Sequence, residues 1–234
     1  MSNAGTWLRY HYFRGGFKGV SETILRHLSH SVLYHYNQRC LTDSSSVPRS
    51  VTIDPDTVAV STISKHRFPH KGPDAFLGEL GGVWDRFRSD AENTVVYRSL
   101  YDRFEEGYRW EDTELYRLER WKIEHIHDSK TEAYLEERCR SIDRLYEDIE
   151  ANGYEAVDVA IRRIEQAERV DRAENAIRVG DFLVPDEPRI GIGRDGTSIR
   201  LGGGRHRIAI AKLLGIGEIP AVVLVQHPDH ERSE

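Results

Sequence analysis

The chain has 234 residues, 38% of them hydrophobic and 31% charged, with a formal net charge of −6 and a pI near 6.0. At about 100 to 200 residues per domain that length allows one large domain or one domain with an appendage, and the balance is that of a globular chain with a hydrophilic tilt. It excludes a protein coated all over with nucleic acid and a transmembrane helix, because the longest apolar run, Ile219 to Val225, falls well short of roughly 18 residues.

Charge is unevenly spread. Residues 1–50 hold six Lys/Arg against Glu22 and Asp43, a balance of +4 that leaves −10 for the remainder, and they hold four of the eleven histidines. This basic arm suits nucleic acid, an anionic membrane surface or the protein's own acidic body. The start of the chain lacks a signal-peptide apolar core. Cys40 and Cys139 have no metal-ligand spacing, and two thiols fit a reducing compartment. The expected location is cytoplasmic.

Residues 1–20 are aromatic, basic and glycine-punctuated. Ser21-Glu22-Thr23 starts a helix with Ile24, Leu25, Leu28 and Val32 on one stripe, ending near Asn37. Residues 43–48 read as a linker, so 1–48 form an arm and helix. Val51 to Val60 reads as a strand, a turn at Asp54-Pro55 and a second extended piece. From Ile63 to Asn93 the pattern is weak, with Trp84 and Phe87 anchoring a short element. Val95–Glu106 and Glu111–Trp121 read as helices around Gly107, the second capped by Asp112 or Thr113. Residues 130–151 form the most regular helix, its stripe Leu135, Cys139, Ile142, Tyr146 and Ile149 turned to the core. Asn152-Gly153 ends it, and a charged helix follows to about Arg172.

After Pro185 and Pro188 the texture changes. Arg189–Gly193 and Thr197–Leu201 flank Asp195-Gly196, a strong hairpin signal. A helix runs from about Arg205 to Leu214, ends at Gly215 and leads into the strand Ile219–Val225. Within that helix Ile208, Ala209, Ala211, Leu213 and Leu214 face the core and Lys212 faces solvent. The fold class is α+β.

Gly202-Gly203-Gly204 between strand and helix lets the backbone turn tightly and approach a ligand with no Cβ in the way. Unpaired N–H groups and the positive dipole end of the helix suit phosphate, and Arg205, His206 and Arg207 add donors. As bare spacing, the pattern serves equally to start a helix near an acidic neighbour.

Gly204 to Gly215, followed by Ile219-Pro220-Ala221-Val222, resembles the second conserved box of the ParB N-terminal domain and its relatives, sulfiredoxin and the free-serine kinases. Val51 to Val60 is similar to that domain's opening strand, and Leu145 to Gly153 to the helix before its central hairpin. The resemblance implies a domain over 49–226, a small mixed sheet with packed helices, interrupted by a helical insertion at about 61–144 and a smaller one at 154–187, with a tail at 227–234. It implies binding of nucleotide phosphates, of CTP or ATP with Mg²⁺, by Gly203, Gly204, Arg205, His206 and Arg207, with His206 as a phosphate donor or an acid/base group.

Departures from the pattern narrow this. Sulfiredoxin has its reactive cysteine where this chain has Arg205. The kinases carry an acid where this chain has Gly203, so phosphoryl transfer would need Asp195, Asp54 or another acid. ParB continues into a helix-turn-helix, whereas this chain ends nine residues after Val225. The expected function is a nucleotide-binding switch or DNA-associated protein, with a small-molecule phosphotransferase, a ParB-like nuclease or a ligand-free interaction module as alternatives and the basic arm as the route to nucleic acid.

Other clusters read as structural. His125-Ile-His127-Asp128 is a polar turn at a helix end, and His227-Pro-Asp-His230 a frayed terminus. Residues 101–106 with 110–114, rich in aromatics and carboxylates, read as a helix hairpin with an acidic solvent face. His66 and His70 are second-rank candidates for the nucleotide face.

Overall fold

The computed structural model describes residues 41–42, 49–62, 78–126, 130–156, 176–179, 182–185 and 187–230. The expected N-terminal helix, His66, His70 and the charged helix before Arg172 lie outside them. The fold is α+β. One mixed sheet contains β1 (Leu41–Thr42), β2 (Arg49–Ile53), β3 (Ala59–Ser61), β4 (Gly78–Leu80), β5 (Arg88–Asp90), β8 (Arg189–Ile192), β9 (Ser198–Gly202) and β10 (Ile219–Gln226). β6 (Ala176–Val179) and β7 (Phe182–Pro185), which sequence reading missed, pair as a separate hairpin. The helices are α1 (Val95–Phe104), α2 (Glu114–His125), α3 (Glu132–Asn152) and α4 (Arg205–Leu213). Among the described residues, no helix is long and apolar enough to cross a membrane.

β10 is the spine of the sheet. It runs parallel to β8 on one side, and on the other it pairs antiparallel with β2 and, near its end, parallel with β4. β8 and β9 form the expected hairpin around Asp195-Gly196, with Gly193 N–H donating to Thr197 C=O at 3.0 Å. β9 then runs parallel to β3, which pairs with β5 at the edge.

The alternation of β10 explains the layers. Ile219, Ala221 and Val223 pack with Ile208 and Ala211 of α4. Val222 and Leu224 face the other way, onto Leu80, Trp84, Ile199 and Leu201. The opposite side of α4, Ala209 and Ile210, meets α1, α2 and α3 through Leu100, Leu115, Leu118, Leu135, Cys139 and Ile142. A helix apolar on both sides suits burial between a sheet and a helical layer.

Each helix of that layer starts on a threonine. Thr94, Thr113 and Thr131 accept from the N–H groups of Tyr97, Tyr116 and Tyr134 at 3.2, 3.3 and 3.3 Å. Thr113 rather than Asp112 is thus the cap of α2. The fourth helix, α4, starts without a side-chain cap, and this difference defines the site.

Candidate anion site at the glycine turn

β9 delivers the chain to Gly203 and Gly204, whose φ angles of +64° and +56° lie in the left-handed region where a side chain is disfavoured. Space is as restrictive as conformation. A Cβ on Gly204 would stand 2.6 Å from Pro188 Cγ and 2.7 Å from its Cα, and one on Gly203 would stand 3.1 Å from Arg189 Nε. The hairpin register, which sets Arg189 opposite Gly202, makes this close approach.

The first turn of α4 is therefore Arg205-His206-Arg207, with no acid among its residues. Cations are disfavoured at the positive end of a helix, so this sequence opposes its own local electrostatics. Surrounding elements deepen the conflict. Arg189 lies against Gly203, Arg200 Nη1 reaches Gly203 C=O at 3.5 Å, and Arg138 comes in from α3.

Burial, followed by the charges of Arg205, Arg138, Arg200 and Arg207, pushes the His206 imidazole down to about 3. Burial and Arg138 likewise lower the Arg205 guanidinium, opposed by Glu119. His206 is thus neutral at pH 7 and poorly placed to act as a base while the site holds no anion.

Three buried nitrogens here have no hydrogen-bond partner: Arg138 Nε, Arg189 Nε and His206 Nε2. Each such group costs on the order of 1–3 kcal/mol. Two carboxylates stand nearby, and both are committed. Glu187, almost fully buried, accepts from Tyr154 OH at 3.3 Å and from Arg207 Nη1 at 3.4 Å. Burial pushes the Tyr154 phenol above its ordinary range. Glu119 accepts from Lys122 Nζ at 2.8 Å. Burial pushes the Glu119 carboxyl up, but Lys122, Arg138 and Arg205 together take it below the usual range. Arg138, Arg189 and Arg205 make no ion pair among the described residues, and an anion of matching charge would satisfy these three positive charges.

Gly203, Gly204, Arg205, His206 and Arg207 stand together at this turn, as expected from their adjacency. Arg138, Arg189, Arg200, Glu119, Glu187 and Tyr154 were missed. The signal for Arg189 and Arg200 was the hairpin itself, which aligns both with the glycine turn. Arg138 flanks the apolar stripe of α3, whereas Arg140 and Arg144 pair with glutamates on its exposed side.

Several expectations need correction. Lys212 does not face solvent: its side chain is 9% exposed and pairs with Glu92 at 2.6 Å and Asp56 at 3.7 Å, because the turn after β2 packs on the last turn of α4. The same packing places Asp54 away from the glycines, where it caps the short 55–57 turn through Asp56 N–H at 2.8 Å. Asp195 sits at the opposite end of the hairpin in a fork with Arg88 at 3.0 and 2.6 Å. Neither acid stands at the glycine turn.

His227 is not frayed. It is buried, with Nε2 3.2 Å from both Gly82 C=O and Arg194 Nη2. His125 stacks on Trp121 and its Nδ1 lies 2.9 Å from Trp121 C=O; His127 and Asp128 lie outside the described residues. In the 101–114 cluster, Asp143 of α3 accepts from Trp110 Nε1 at 3.0 Å and from Arg103 Nε at 3.1 Å, which ties the hairpin to the core.

No family model matches the chain, and neither does any curated protein or solved structure.

Proposed function

We propose that this chain binds the phosphate groups of a nucleotide at the Gly203-Gly204 turn. The observation that carries the reading is the set of buried, unpartnered nitrogens, with His206 Nε2 at its centre, around a helix start whose first three residues are all basic. A phosphate supplies acceptors in several directions and the negative charge these groups lack. The resemblance of residues 204–222 to the ParB/sulfiredoxin type supports a nucleoside triphosphate, CTP or ATP, with Mg²⁺, and a binding switch as the role.

Calorimetric titration with CTP, ATP and GTP, with and without Mg²⁺, tests this. At least one should bind, and Arg205→Ala should weaken it by about tenfold or more, the effect of losing a charge-assisted hydrogen bond. Absence of heat for all three with the folded protein removes the reading.

Phosphoryl transfer is the second reading, favoured by Glu187, a buried carboxylate on Arg207 whose own main-chain oxygen would lie 3.6 Å from a Cβ on Gly203. It predicts release of nucleoside diphosphate that Glu187→Gln abolishes while binding persists.

A further inference from the structure

We infer that Arg138, reaching in from the helical layer, holds a second phosphate of the same ligand, so that the site selects a pyrophosphate linkage over a single phosphate. This rests on the glycine turn being a phosphate site and adds a specificity-determining residue to it.

The arginines of α3 differ sharply in their partners. Arg140 pairs with Glu136 and Glu137 at 3.8 and 3.0 Å, and Arg144 with Glu137 at 2.6 Å. Carboxylates are thus plentiful on the exposed side of α3. Arg138, two residues before Arg140, makes no ion pair among the described residues. Its Nη1 touches Tyr134 OH at the limiting distance of 3.5 Å and its Nε is buried without an acceptor. Burying the Nε–H of a guanidinium without an acceptor is unfavourable unless a ligand completes it.

Arg138 lies within electrostatic reach of both Arg205 and His206, but it belongs to α3, which packs on α4 beside it through Cys139, Ala209 and Ile210, and not to the turn. The glycine turn already has its own unpartnered donors, Arg189 Nε and His206 Nε2. One anion at the turn would use those, leaving the donor on α3 for a group attached to it.

A phosphate monoester brings about −1.5 to −2 at neutral pH, less than the three positive charges of Arg138, Arg189 and Arg205, none of which makes an ion pair among the described residues. Two linked phosphates come closer to balance. Glu119, held by Lys122, lies within electrostatic reach of Arg138 and Arg205.

The test is titration of the folded full chain, wild type, Arg138→Ala, Arg138→Gln and Arg205→Ala, with inorganic phosphate, pyrophosphate, ATP and CTP. Wild type should prefer pyrophosphate to phosphate by about tenfold or more. Both Arg138 variants should weaken pyrophosphate by about tenfold more than phosphate, so that the preference is lost, and the Gln variant, which keeps the start of the stem and a polar end without the charge, separates lost recognition from lost packing. Arg205→Ala should weaken both anions.

Equal binding of phosphate and pyrophosphate by the wild type overturns the inference and leaves the cradle intact, as does equal weakening of both anions by Arg138→Ala. Failure of every anion to bind sinks the cradle itself. Tighter binding of ATP or CTP than of pyrophosphate identifies a nucleotide as the source; equal binding identifies a free polyphosphate.

Discussion

The two ends of the β8–β9 hairpin both carry arginines that are partly withdrawn from water, and they treat them in opposite ways. At the tip, Arg194 forks onto Asp85, Nε to Oδ2 at 2.8 Å and Nη2 to Oδ1 at 3.0 Å, and also donates to Gly82 C=O. Asp85 accepts the Arg194 main-chain N–H as well, at 3.1 Å. Burial raises the Asp85 carboxyl, and the hydrogen bonds and charge of Arg194 more than reverse this. At the open end, Arg189 faces the glycine turn with its Nε unpartnered, beside an unpartnered His206 Nε2. The same strand pair thus ends once in a completed ion pair and once in an incomplete one. Buried charge alone does not mark a site; buried charge whose hydrogen bonds are unmade does.

Stability measurements should split the two ends by sign. Asp85→Ala leaves Arg194 without its counter-ion and should cost about 3–5 kcal/mol in denaturant unfolding, toward the lower figure because Arg194 keeps some solvent contact. Arg205→Ala removes a charge that its surroundings already disfavour, so the ligand-free protein should be unchanged or more stable while anion binding weakens. If Arg205→Ala destabilises as much as Asp85→Ala, the open end is a second structural cluster and the phosphate reading fails.

The turn itself ranks next. Gly204→Ala forces a side chain into the left-handed region, at roughly 1–2 kcal/mol, and drives its Cβ against Pro188 main chain and ring at 2.6–2.7 Å. Gly203→Ala carries the same conformational penalty, but its tight contacts are with the Arg189 guanidinium, at 3.1 and 3.3 Å, which can move, and Glu187 C=O at 3.6 Å is at ordinary contact distance. Thermal melts should therefore place Gly204→Ala below Gly203→Ala. Loss of anion binding by Gly203→Ala with little loss of stability would identify the displaced Arg189 as part of the site.

Local grammar made much of this legible. The hairpin around Asp195-Gly196, the helix after three glycines and the apolar β10 are written in contiguous residues, and the structure has them within one residue or so of the expected bounds. The five residues of the turn came with them. The remainder of the site is a product of tertiary packing. Arg138 lies 67 positions before Arg205 and reaches it only because α3 packs across α4, a relation that no periodicity within α3 encodes. The failures share that origin. Lys212 is a solvent residue by its helical phase but is covered by the turn after β2. His227 follows the last apolar residues, yet β10 continues to Gln226 and carries it into the Gly82–Arg194 cluster. The short strand β4 and the edge strand β5 have three residues each, too few for alternation to register.

The effect that is smallest at neutral pH concerns His206, and it separates the two ends as the pH falls. Its imidazole is held near 3 in the folded protein and titrates near 6.5 in an unfolded chain. Between those values the unfolded state binds the extra proton, so stability is full above about pH 6.5 and falls as the pH drops, by up to about 1.4 kcal/mol per pH unit. The carboxyls held below their usual range, Asp85, Glu92 and Glu119, contribute stability that is lost only at lower pH, which leaves the interval from 6.5 to about 5 to His206 among these groups. Unfolding free energies of His206→Gln should be flatter across that interval than those of the wild type. A phosphate at the turn reverses the sign of the local field, gives Nε2 an acceptor and raises the imidazole, so the ligand should bind with proton uptake and more tightly as the pH falls from 7 to 6. Calorimetry in buffers of different ionisation enthalpy measures that uptake directly; binding that releases protons, or that leaves the wild type and His206→Gln alike, would place the anion away from His206.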